Sequence, residues 1–168
     1  RFFTGSVVMA GKRNFWSSYD KVCGIRQDLY ILDGWGATAN LVIDSSLYRK
    51  VSGFDTSLAS GGDYEFCKKV SREVGIGPVL IENLVVYHPS RMSYRAIANK
   101  QRRIIRGVFQ KRGMRSFSYE VISSLRIRMS RSLFHDRKII DIVAYLTISL
   151  LLISTKLIFK AKLFSEKG

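Results

Sequence analysis

Gly61-Gly62-Asp63-Tyr64-Glu65-Phe66-Cys67 is the stretch on which the reading of this chain turns. An aspartate directly after two glycines can accept a hydrogen bond from the free N–H groups that open a helix, so Asp63 is the expected N-cap. Phe66, Val70 and Val74 follow at i, i+4 and i+8 as one apolar helix face, and Gly75 closes the helix. Just upstream, Gly53-Phe54-Asp55 turns the chain, and Asp44 caps a short helix from Ser45 to Val51. Before that, the small-residue loop Gly34-Trp35-Gly36-Ala37-Thr38-Ala39-Asn40 feeds the strand Leu41-Val42-Ile43. Downstream, Pro78 opens a β-rich run from Val79 to Tyr87 that delivers His88-Pro89-Ser90-Arg91. At the start, residues 2–9 read as a buried strand and Gly11-Lys12-Arg13-Asn14 as a turn. Phe15 to Tyr30 reads as a helix interrupted near Gly24.

After His88-Pro89 the character of the chain changes. Tyr94, Ile97, Ala98, Gln101, Ile105 and Val108 trace one helix face, with Arg95, Arg102, Arg103, Arg106 and Lys111 around it and Gly113 as its expected end. Arg126, Arg128, Arg131, Arg137 and Lys138 then precede a 21-residue apolar run, Ile139 to Phe159. As a helix that run is about 31 Å long, enough for a bilayer core of roughly 30 Å. Asp141 and Lys156 fall inside it and leave 14 uncharged residues between them, a length that suits a buried or interfacial helix. Asp141, Tyr145 and Ser149 share one face, as a packing or interfacial stripe would. Membrane attachment is expected, with spanning and lying flat both open.

The charge follows the same division. Of 168 residues, 28 are Lys or Arg and 13 are Asp or Glu, for a net charge of +15. Residues 1–98 carry +3 and residues 99–168 carry +12. Such a field attracts nucleic acid, anionic lipid or phosphorylated substrates alike. Residues 99–138 lack aromatic-interleaved stacking positions and a helix-turn-helix pattern, which argues against nucleic acid. A hydrophobic content of 46% with two prolines argues against a disordered chain. Cys23 and Cys67 form no CxxC and no disulfide framework, so a zinc ribbon is not expected and a reducing compartment is. The chain opens on Arg-Phe-Phe-Thr-Gly, without Met or signal peptide, and reads as a piece of something longer.

The order of Gly36 to Val42, Gly53-Phe54-Asp55, Gly61 to Cys67 and the strand ending in His88 resembles the C-terminal half of the catalytic domain of family 2 glycosyltransferases. The resemblance covers about residues 2–113 and is strongest over 34–107. It implies an α/β fold: a partial GT-A, Rossmann-like domain in residues 1–113, followed by basic and apolar C-terminal helices in residues 114–168. It further implies that the donor-binding strands and the Asp-x-Asp metal motif belong to a first half that precedes Arg1, so that this stretch alone would be inactive. The activity implied is transfer of a sugar, with inversion, from a nucleotide-sugar donor to a hydroxyl of a saccharide or lipid-linked acceptor in cell-envelope polysaccharide synthesis. Such a reaction needs a carboxylate to take the hydroxyl proton. It also needs positive charge on the departing diphosphate, from Mg²⁺ or Mn²⁺ with most ligands in the first half, and from Lys or Arg.

By resemblance Asp63 is the general base, although Gly62 stands where many relatives carry a second acidic residue. His88 matches a position near the metal, Arg91 and Arg103 (or Arg102) could reach the diphosphate, and Asn40, Trp35, Gly62 and Glu65 would line the acceptor side. Each position also has a plainer reading. Asp63 can be only a helix cap, His88 only a hydrogen-bonded strand end, and Trp35 packing rather than a sugar platform. Glu65 can be a solvated first-turn carboxylate, the Gly36 to Asn40 loop a tight connection, and Cys67 a small core residue. Because nucleotide-sugars are largely cytoplasmic, the expected location is the cytoplasmic face of a membrane. The competing function is a non-enzymatic basic module that binds anionic membrane or nucleic acid.

Overall fold

A computed structural model describes residues 1–128 and 139–165. The chain is mixed α/β and divides into two compact units, one of residues 1–10 and 25–89 and one of residues 11–24 and 90–168.

The first unit is built on a three-stranded sheet. Central β1 (Phe2–Ala10) pairs antiparallel with β2 (Leu41–Ile43) and parallel with β3 (Val79–Pro89). The β1–β3 register slips between Gly5 and Ser6, where Gly5 faces Ile81 but Ser6 faces Val85. Asn40 braces that irregularity by donating from Nδ2 to the carbonyls of Ser6 and Leu84, 2.9 Å each. A glycine is required beside it, because a Cβ on Gly5 would lie 2.2 Å from the Leu84 carbonyl oxygen. The expected buried strand is buried only over its first half; Val8 is exposed.

The helices of this unit are short α2 (Gln27–Tyr30), α3 (Ser45–Lys50) and α4 (Gly62–Val74). Asp44 caps α3 as expected, accepting from the Ser46 N–H at 2.9 Å. The entry to α4 differs from the sequence expectation: Gly61, at φ +84°, is the N-cap, and its carbonyl accepts from the Glu65 N–H at 3.1 Å. A left-handed glycine turns the chain into the helix two residues early, which places Asp63 inside the first turn rather than at the cap. Phe66, Cys67 and Val70 are buried in the core with Phe2, whereas Val74 is exposed. Eight helical residues rotate by about 80° beyond two full turns, which carries Val74 off the Phe66 face. Gly75, left-handed, closes the helix as expected.

The second unit packs three helices: α1 (Phe15–Cys23), α5 (Tyr94–Arg128) and α6 (Ile139–Ser165). Asn14 and Ser17 form a reciprocal capping box that starts α1. The core is Tyr19, Val22 and Cys23 of α1, Ile97 and Ala98 of α5, and Ala144, Tyr145, Ile148 and Leu152 of α6. Burial of side chains such as Ile97, Ile148 and Leu152 contributes about 2 kcal/mol each. Helix α5 runs through Gly113, the expected end. One glycine costs a helix about 1 kcal/mol, too little to stop it among Lys111, Arg112, Met114 and Arg115. Of the expected basic linker, Arg131, Arg137 and Lys138 lie outside the described residues.

Candidate active site

Asp63 stands half-buried in the first turn of α4, its Oδ1 accepting from the Tyr64 N–H at 3.0 Å. Tyr64 continues into an aromatic group. Trp35 meets it edge to face at 5.7 Å and itself stacks on Tyr30 at 4.0 Å with planes 16° apart. The Lys68 ammonium lies 5.4 Å from the Tyr64 ring centre and donates to the Asp33 carbonyl. All three rings and the Asp63 side chain keep part of their surface in solvent. A part-exposed carboxylate and half-exposed rings carried by the same unit are the kinds of group that could hold a hydroxylated ring compound and accept a proton from it.

Trp35 thus packs between Tyr30 and Tyr64 while keeping part of its surface in solvent. Glu65 is half-buried in the same first turn, two residues on and therefore on a different side of the helix from Asp63. Gly62 opens α4; a Cβ there would meet nothing nearer than the Asp55 carbonyl at 3.8 Å. Asn40 is 7% exposed and both bonds from its side-chain nitrogen go to the sheet, so it is a strut of the fold where an acceptor ligand was expected. Its neighbourhood is a tight connection. Gln27 donates to the Ala37 carbonyl and accepts from the Ala37 N–H, and a Cβ on Gly36 would press on Thr4 at 3.0 Å. Cys67 is the core residue expected of it. Its Sγ lies 3.5 Å from both the N and O of Gly36, and burial pushes its thiol up to about 11.

His88, at the end of β3, places Nδ1 3.0 Å from the Pro89 carbonyl oxygen. Among the described residues no group of three or more His, Cys, Asp or Glu side chains could hold a metal ion. Around His88 the described residues therefore offer no companion ligands for a cation.

The two arginines belong to the second unit. Arg91 is committed to a buried ion pair: its Nη1 lies 3.1 Å from both oxygens of Asp20, and its backbone N–H donates to Asp20 at 2.9 Å. Lys100 completes the group at 3.7 Å from Asp20, which is 1% exposed. The Arg91 side chain expected on a diphosphate is thus a latch between the α5 approach and α1. Arg103 is exposed on α5, and Arg102 donates to Asn99 at 3.0 Å.

Sequence reasoning missed Tyr30 and Tyr64, whose link to Trp35 depends on α2 and α4 converging. It also missed Asp20 and Gln27, whose partners lie 71 and 10 residues away with no periodic pattern between them. Protein-family models, curated proteins and solved structures were all compared with the chain, and none matches.

Proposed function

We propose that this chain is the acceptor-side part of an inverting, family 2-like glycosyltransferase of GT-A type that works at the cytoplasmic face of a membrane. The observation that carries the reading is the part-exposed carboxylate of Asp63 in the first turn of α4, the helix that also supplies Tyr64 to the Tyr30–Trp35–Tyr64 ring group. The order of motifs around it supports the same reading. In the step proposed, the acceptor hydroxyl oxygen forms a bond to the anomeric carbon of the donor sugar. The bond from that carbon to the nucleoside diphosphate breaks on the opposite side with its electron pair, and the hydroxyl proton passes to the Asp63 carboxylate. Trp35 and Tyr64 would orient the acceptor ring, and Glu65 would stand ready for a second hydroxyl.

The test is nucleoside diphosphate release from a panel of nucleotide-sugars by the product of the complete reading frame. Asp63→Asn is expected to lower turnover by about 10²–10⁴-fold with unchanged thermal stability. Equal rates in the two proteins would remove Asp63 as the base. A second reading, a non-enzymatic module on anionic membrane, is favoured by the apolar outer face of α6. It predicts vesicle binding with no turnover of any nucleotide-sugar.

A further inference from the structure

We infer that α6 lies in the plane of an anionic membrane surface, with its outer face in the headgroup–acyl boundary, rather than crossing the bilayer. The inference rests on the membrane part of the reading above and settles how the helix would be seated.

By length and composition α6 could span: Ile139–Phe159 has 21 residues and a mean hydropathy of 2.1 in its best window. Its packing argues otherwise. One side of the helix is covered by α1 and the start of α5. At the near end Arg13 pairs with both oxygens of buried Asp141 at 2.8 Å. In the middle Tyr19 stacks on Tyr145 at 6.2 Å. Toward the far end the Tyr94 hydroxyl meets Thr155 Oγ1 at 2.5 Å. From Asp141 to Thr155 the covered stretch is about 21 Å long. A spanning α6 would carry those covering elements into hydrocarbon with it, including exposed Arg13 and Arg95. Basic side chains are strongly disfavoured at that depth, and the ion pair and hydroxyls on the covered side show a helix seated against water-facing partners.

The opposite side is uncovered and apolar from Ile139 to Ile158. Ile139, Val143, Leu146, Leu150, Leu157 and Ile158 are all exposed there, Ile139 at 80%, Leu150 at 68% and Ile158 at 71%. Among the described residues no charged side chain interrupts this face between Ile139 and Ile158; Thr147 and Ser154 are its polar members. A helix with one packed side and one continuous apolar side is suited to lie on a surface.

Charge selects the occupant. Residues 99–168 carry +12. A second copy docked on the same face would bring two such segments together, whereas a bilayer with anionic headgroups attracts them.

The experiment places single labels at Val143→Cys, Leu150→Cys and Leu157→Cys, which share the outer face one heptad apart. Native Cys23 and Cys67 are buried and resist labelling. An environment-sensitive fluorophore on each is quenched by lipids bearing nitroxides at shallow or deep positions, in vesicles with or without phosphatidylglycerol. The expected result is binding to the anionic vesicles, similar shallow quenching at all three sites, and about a tenfold or greater loss of binding in Leu150→Glu. Quenching that changes in depth from 143 to 157 would show a spanning helix and overturn the inference while leaving the membrane reading intact. Absence of vesicle binding, with mass doubling on concentration, would overturn both in favour of a second copy. Neither outcome bears on turnover by Asp63.

Discussion

The Asp20 carboxylate is 1% exposed and lies between two cations, 3.1 Å from Arg91 and 3.7 Å from Lys100. Its removal would take the buried carboxylate away from two largely covered cations, which is the situation in which buried pairs matter most. Asp20→Asn is expected to lower stability by about 3 kcal/mol, read as a fall in urea midpoint at unchanged slope. Cys67 offers a test of burial at the same scale. Burial raises its thiol to about 11, so the folded chain holds a proton that the unfolded chain releases near the ordinary cysteine value of about 8.5. The unfolded state then binds fewer protons, and stability falls as pH rises through that window. Alkylation at pH 8 should accordingly proceed only at the rate of unfolding; rapid labelling of native protein would show an open site around Cys67.

Helix α4 shows how one residue at an element's edge resets the role of the next. Gly61 takes φ +84°, and nothing lies within 4 Å of where its Cβ would be, so the constraint there is conformational alone. Gly61→Ala should cost about 1–2 kcal/mol, while Gly62→Ala, with 3.8 Å of clearance inside the helix, should be neutral or stabilising. Both are read from thermal midpoints, and the reverse order would return the cap to Asp63. The existence of α1, α3, α4 and α6 was legible because each begins or ends at a capping residue or a sharp hydropathy change. The strand positions were legible from apolar runs between turn residues. What was not legible is what depends on distance along the chain: the Asn40 brace across Ser6 and Leu84, the Asp20–Arg91 pair, and the meeting of Tyr30, Trp35 and Tyr64. Gly113 failed as a stop for a different reason, since its cost is small beside the helix it interrupts.

At the scale of the molecule, the proposed chemistry and the proposed anchoring fall to two compact units. One, around the sheet, holds Asp63 and the Tyr30–Trp35–Tyr64 rings and is near neutral at −1; the other, a helical unit, presents the uncovered apolar side of α6 and carries +16. No pattern within residues 11–24 announces that they fold with residues 90–168, because that association is made by packing between Tyr19, Val22 and α6. The division predicts that chemistry and anchoring separate by mutation. The most direct measurement is sugar-transfer activity of the complete reading-frame product, assayed on protein recovered from the lipid layer of a vesicle flotation gradient, for wild type and Asp63→Asn side by side. The expected result is equal recovery of both proteins with lipid and turnover in the wild type alone. Equal turnover in the two floated proteins would contradict the account at its centre.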